Sequence, residues 1–195
     1  MRCRWCESNE LMINYHDQEW GIPCHDDQKL FEYLMLESLQ CGLSWMIIMK
    51  KREAINQAFH HFDLNYLTSP NCDIEDIMHT EGMLKSERKI KAVIKNAYAY
   101  VNIQKEFGSF DHYLWSFTHN KIIQYKNHEK EDFGFITHND LSDIISHDLK
   151  KRGFSFLGRV TIYSYLQAMG MINDHKEYCF RYQEILNQYE IEYKE

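Results

Sequence analysis

The chain has 195 residues and a formal net charge of −7, with 44% hydrophobic and 14% aromatic residues, ample for one sizeable core. Two prolines and eight glycines leave little material for linkers or β-turns, which favours an all-helical domain over a β-rich one. No apolar run reaches membrane-spanning length and the charged N-terminus lacks a signal-peptide core, so the expectation is a soluble, cytoplasmic protein with no membrane partner.

In chain order, Asp26 or Asp27 caps a helix through Leu30, Phe31, Leu34 and Met35, apolar positions at helical spacing. Gly42 interrupts it, and Ser44 caps a second helix through Trp45, Ile48, Ala54 and Phe59. Residues Thr68 to Asn71 read as a turn, and Asp73 opens a short helix ending near Gly82. Ser86 to Glu106 form a long amphipathic helix carrying Ile90, Val93, Ile94, Ala97 and Val101. Ser109 to Phe117 form another helix, and Thr118 to His138 read mostly as loop. Asn139 or Asp140 starts a helix through Leu141, Ile144, Ile145 and Leu149, and a last one runs from Arg159 to Met169. The hairpin between these two helices, within about residues 141–169, is bracketed by Gly153 and Gly158. Glycines there allow φ > 0 and a close approach of backbone to a ligand. Amides at the second helix's start suit a phosphate, as do Lys150, Lys151, Arg152 and Arg159. An ordinary pair of packed helices is an equally good reading of the geometry alone.

Six cysteines show no secreted-type disulfide framework, so reduced thiols or metal ligands are expected. Cys3 with His16, near the N-terminus, and His175 with Cys179, near the C-terminus, each supply one thiolate and one imidazole. Together they make the Cys₂His₂ set that zinc takes in closed tetrahedral sites. Four protein ligands leave no open position, which points to a structural metal, one per chain. Cys6 forms a C-x₂-C with Cys3, and Cys6 in place of His16 stays open.

Four separated motifs then carry a resemblance. They are Y-H-D-Q-E-W-G (Tyr15 to Gly21), L-E-S-L-Q-C-G-L-S-W (Leu36 to Trp45), K-K-R-G-F-S-F-L-G (Lys150 to Gly158) and N-D-H-K-E-Y-C (Asn173 to Cys179). In order and spacing the chain resembles the DNA-3-methyladenine glycosylase I family, a zinc-containing branch of the helix–hairpin–helix DNA glycosylases. The match runs from Arg2 to about Cys179. It implies one all-α glycosylase domain over residues 1–195, with zinc on Cys3, His16, His175 and Cys179 joining its two ends. It implies a monofunctional base-excision repair enzyme that hydrolyses the N-glycosidic bond of N3-methyladenine in double-stranded alkylated DNA. Free 3-methyladenine leaves as product and an abasic site remains.

The resemblance also distributes roles. Trp5, Tyr15 and Trp45 match the walls of the base pocket, where electron-rich rings suit a cationic base. Glu37 matches the carboxylate that accepts from the base's exocyclic amine, the one residue assigned to catalysis. Gly42 and Leu43 match the turn facing the DNA gap, with Leu43 a candidate wedge and Gln40 and Ser44 at the same rim. Lys151, Gly153, Gly158 and Arg159 complete the DNA-contact set of an enzyme expected to act as a monomer. Core packing remains the plain alternative for the aromatics, helix capping or ion pairing for Glu37, and a buried helix corner for Leu43. Asp174 is expected beside the metal or at a helix cap. The chain departs from the family pattern at Met12, where a tyrosine is common, at Gly158-Arg159-Val160, and along Lys85 to Arg88. A DNA-binding or damage-sensing relative without excision is the rival reading.

Overall fold

The computed structural model describes residues 1–125 and 136–194. It is mostly helical. A 3-10 turn at Arg4–Cys6 leads into α1 (Glu10–Gln18), whose start is capped by the Asn9 side chain accepting from the Met12 N–H. The central helix α2 (Asp27–Gln40) begins where the Asp26 side chain accepts from the Lys29 N–H. Its segment from Tyr33 to Leu39 is buried all round, so it runs through the core with no solvent face. Helix α3 (Trp45–Ala58) follows the Gly42-Leu43 turn; Ser44 precedes it, but its side chain makes no cap hydrogen bond.

The short helices α4 (Leu64–Leu67) and α5 (Ile74–His79) are capped by Asp63 and Asp73. The long amphipathic helix α6 (Glu87–Phe107) buries Ile90, Val93, Ala97 and Ile103 on one stripe. It packs against α2 and against α7 (Phe110–Ser116), which is capped by Ser109. Helix α8 (Asp140–Lys151) opens with a capping box: Asn139 accepts from the Ser142 N–H, and the Ser142 hydroxyl accepts from the Asn139 N–H. The turn over residues 152–158 then leads to α9 (Arg159–Ala168), which packs on both α8 and α2.

Four features lie outside the sequence-based expectation, the short helix α4 among them. Helix α1 has no counterpart there, and α10 (Phe180–Gln188) follows beyond the last expected helix. Within the expected loop Thr118 to His138, residues Ile122–Tyr125 form a strand, β1. It pairs in parallel with β2 (Ile191–Lys194), in the register Ile122 to Ile191. Among the described residues the all-α expectation therefore holds except for this two-stranded sheet. Residues 126–135 of that expected loop lie outside the described residues. The sheet and the contact of the Phe180 N–H with the Met1 carbonyl, 3.0 Å, bring the C-terminal segment back against the body and the N-terminus.

Candidate base pocket and metal centre

The first turn of the chain, α1, the end of α2, the start of α3, α9 and the segment of Asp174 and Lys176 line a cavity of about 510 Å³. Trp5, Tyr15, Glu37 and Trp45, singled out from sequence, all line it. Trp5 and Tyr15 meet edge to face with centroids 6.2 Å apart, and Tyr15 and Trp45 lie 5.6 Å apart. Glu37 projects from the fully buried part of α2 and is only 4% exposed. Its Oε2 and the Trp45 indole N–H are both buried without a protein partner. Burial alone pushes the Glu37 carboxyl up to about 8 from an ordinary 4.5. The pocket thus offers one unpaired carboxyl group among aromatic rings.

Sequence reasoning missed part of this wall. Trp20 lines the cavity and touches Trp5 edge-on at 5.0 Å. Met12 is buried there too, so the departure from tyrosine falls inside the cavity. Gln40 reaches the lining, whereas Ser44 does not. Asp174 also lines the cavity, where its carboxylate accepts from the Gln167 amide. The carboxylate that meets the ligand candidate His16 directly is Asp17.

Cys3, His16, His175 and Cys179 are all buried, and one ligand atom of each lies within 4.8 Å of the others. Cys3 Sγ and Cys179 Sγ are each 3.7 Å from His175 Nδ1, and Cys179 Sγ is 3.4 Å from His16 Nε2. Zn–S and Zn–N bonds of about 2.3 and 2.05 Å at a tetrahedral angle would separate S and N by about 3.6 Å. The donor set therefore fits a tetrahedral metal. Cys6 is not part of it: its thiol donates to the Cys3 carbonyl at 3.0 Å, so the alternative with Cys6 in place of His16 falls away.

The surroundings suit a cation. Burial pushes the Cys3 thiol up to about 12, and burial beside His16 brings His175 down to about 3. A neutral imidazole, and a thiol whose proton a cation must displace, are donors a metal requires. Asp17 Oδ1 lies 2.8 Å from His16 Nδ1 and so orients that ring, and Arg2 clamps Asp17 in turn. Gly21, at φ +75, leaves room for His175, whose Nε2 would lie 2.4 Å from an added Cβ.

The hairpin shows a division the sequence did not foresee. Gly153 takes φ +98, but Gly158 is extended at φ −70, and Phe156 holds the other left-handed position at φ +60. A Cβ at Gly153 or Gly158 would meet no atom within 4 Å, so the turn's surface is open to a partner. Lys150 and Lys151 are exposed. The arginines are engaged: Arg159 pairs with Asp143 at 3.3 Å, and Arg152 binds Asp148 at 2.6 Å and Glu106 at 2.7 Å. Gly42 is exposed and Leu43 half-buried at the α2–α3 turn.

The helical body thus carries an aromatic cavity with one buried acid beside a Cys₂His₂ cluster able to hold a metal. The family model described as methyladenine glycosylase matches residues 5–182. DNA-3-methyladenine glycosylase of Haemophilus influenzae is 40% identical over 179 residues, covering 91% of this chain and 96% of that protein. DNA-3-methyladenine glycosylase 1 of Escherichia coli K12 is 38% identical over 188 residues, covering 93% and 96%. The solved 3-methyladenine DNA glycosylase I of Staphylococcus aureus, described for its recognition of 3-methyladenine, superposes with a TM-score of 0.84 at 34% identity, covering 92% and 95%. The chain belongs to the methyladenine glycosylase family. Among the described residues no helix is long and apolar enough to cross a membrane.

Proposed function

We propose that this protein excises N3-methyladenine from alkylated double-stranded DNA by hydrolysing its N-glycosidic bond. The unpaired Glu37 carboxylate in the aromatic cavity carries the reading. An isolated buried acid is costly, and its retention is accounted for by a ligand that brings donors and positive charge. The N3-methylated base brings both: a cationic ring and an exocyclic amine.

In this reading the base leaves the duplex stack and enters between Trp5, Tyr15 and Trp45, whose faces attract its charge. Once ionised, Glu37 accepts from the exocyclic amine and holds the cation by its own charge. The cationic base is already a good leaving group, so the protein need only bind it, turn it and keep bulk water from its face. Water then bonds through its oxygen to the sugar carbon and gives up a proton to solvent, the cationic base departs neutral with the electron pair of the broken bond, and an abasic site remains. Zinc is the metal proposed for Cys3, His16, His175 and Cys179; with all four positions filled it fastens the two ends of the chain and takes no part in bond cleavage. Gly42 and Leu43 face the vacated stack, and Lys151, Gly153, Gly158 and the first amides of α9 hold the phosphates. Arg159 joins them only by leaving Asp143. The enzyme acts as a cytoplasmic monomer.

The test is release of free base from methylated duplex DNA by the zinc-loaded protein, followed by chromatography, with Glu37→Ala alongside. Release of 3-methyladenine, lost in the variant, is the expected result. A folded, zinc-loaded protein that binds DNA and releases nothing would overturn excision in favour of a damage-binding relative.

A further inference from the structure

Two side chains of α6 end on the backbone of the two loops assigned to DNA, and on no group of the pocket. Lys89 Nζ donates to the Leu39 carbonyl at 2.6 Å and to the Cys41 carbonyl at 2.7 Å. These carbonyls close α2 immediately before Gly42 and Leu43, where a helix end leaves acceptors unsatisfied and favours a cation. Asn96 is fully buried and grips Ser155 twice: its Nδ2 donates to the Ser155 carbonyl at 3.0 Å, and its Oδ1 accepts from the Ser155 N–H at 2.8 Å. Ser155 sits in the middle of the hairpin, next to Phe156 with its φ of +60. Lys95 adds a bond to the Ser155 hydroxyl at 3.1 Å, and the Arg88 guanidinium lies 4.8 Å from the centre of the Phe156 ring.

Lys89 and Asn96 are seven residues apart, two turns of one helix, and therefore share a face with a separation of about 10 Å along the axis. A rigid rod of that kind fixes the distance between its two attachment points. We propose that α6 is a strut, and that Lys89 and Asn96 are positioning residues. Lys89 sets the wedge turn and Asn96 sets the phosphate-binding hairpin, so that both engage one duplex in a single register. Cys41 and the hairpin meet directly as well, with Cys41 Sγ 3.7 Å from the Phe156 carbonyl, which keeps the two loops one surface. The Lys85 to Arg88 stretch, where the chain departs from its family's pattern, thus leads into the strut.

The inference rests on the glycosylase reading for the identity of the partner, and its test separates the two. Excision kinetics are measured on duplex DNA containing 3-methyladenine for Lys89→Met and Asn96→Ala, with Lys89→Arg as a milder variant that keeps the charge and Asn96→Asp as one that keeps the volume but turns the donor to the Ser155 carbonyl into an acceptor. Binding of free 3-methyladenine is measured in parallel. The Lys89 variant is expected to lose about tenfold or more in kcat with KM nearly unchanged, because the wedge no longer meets the gap squarely. The Asn96 variant is expected to raise KM about tenfold with kcat retained, because the hairpin loses its preset form. Lys89→Arg restores most of kcat, and both proteins bind free base as the unaltered one does. Unchanged kinetics in both, or a matched loss of kcat, KM and free-base binding, overturns the strut. If the unaltered protein releases no base, the glycosylase reading fails alone. Duplex affinity of the Asn96 variants and 2-aminopurine emission beside an abasic site with the Lys89 variants then decide the strut without excision.

Discussion

Replacing Gly21 by alanine tests the metal centre at a position that is neither ligand nor neighbour in the cavity. A Cβ built there lies 2.4 Å from His175 Nε2 and 3.0 Å from its Cδ2. The ring must retreat by about 1 Å to restore ordinary contact. Its other nitrogen, Nδ1, faces Cys3 and Cys179 at 3.7 Å, so the displacement carries straight into the ligand set. Metal–ligand distances tolerate about 0.2 Å, and disturbing a ligand's orientation costs about 10–100-fold in affinity. The left-handed backbone at φ +75 adds about 1–2 kcal/mol against any side chain. Gly21→Ala should therefore surrender zinc to a competing chelator at least tenfold more readily, and melt at a lower temperature, while Gly42→Ala, where a Cβ meets nothing, keeps the metal. Zinc content against chelator concentration reads this directly. One tightly held zinc in Gly21→Ala, with an unchanged chelator midpoint, would refute the assignment of His175 Nδ1 as a ligand.

Four further outcomes follow from the same geometry. Glu37, raised to about 8, is protonated in the free enzyme at neutral pH, so kcat/KM should climb with pH toward about 8, and Glu37→Gln should flatten that profile. The same shift has a stability sign: the contribution is full below pH 4.5 and is lost as pH rises through about 8, so Glu37→Gln should resist alkaline melting better than the parent. Asp17→Ala frees His16 Nδ1 and should weaken zinc about 10–100-fold in chelator titrations. Arg52→Met strands Glu19 and Glu32, lifts a cation off the Tyr33 ring that stacks on Tyr15, and should cost about 1–3 kcal/mol in denaturant melts with weaker free-base binding.

What the sequence discloses depends on how local the cause is. Helices α2, α5, α7 and α8 begin at Asp26, Asp73, Ser109 and Asn139, each of which accepts from a backbone N–H as its type predicts. Helix α1 carries the same signal in Asn9, but with only nine residues and Met12, Tyr15 and His16 as its buried face it shows little apolar periodicity. β1 and β2 pair across most of the C-terminal half and leave no local trace, whereas α10, which has no side-chain cap at Cys179, is marked only by the apolar spacing of Tyr182, Ile185 and Leu186. The four metal-ligand candidates were legible because thiol and imidazole pairs are scarce and chemically distinctive. Gly21 was not, since only the fold brings His175 against it.

Charge shows the limit most clearly. The run Lys150-Lys151-Arg152 with Arg159 reads as four free cations, yet the fold supplies Glu106, Asp148 and Asp143 to the two arginines. Guanidinium groups, with their fixed fork of donors, are the ones a carboxylate captures geometrically, whereas the exposed lysines keep their mobility. Phosphate affinity in this hairpin then falls to Lys150, Lys151 and the unpaired amides at the start of α9, a small number of contacts. The salt dependence of duplex binding should be correspondingly shallow, with a log–log slope nearer −2 or −3 than the roughly −4 that four cations would give. Arg159→Ala should leave that slope almost unchanged, and a drop of about one unit would mean that DNA draws Arg159 away from Asp143.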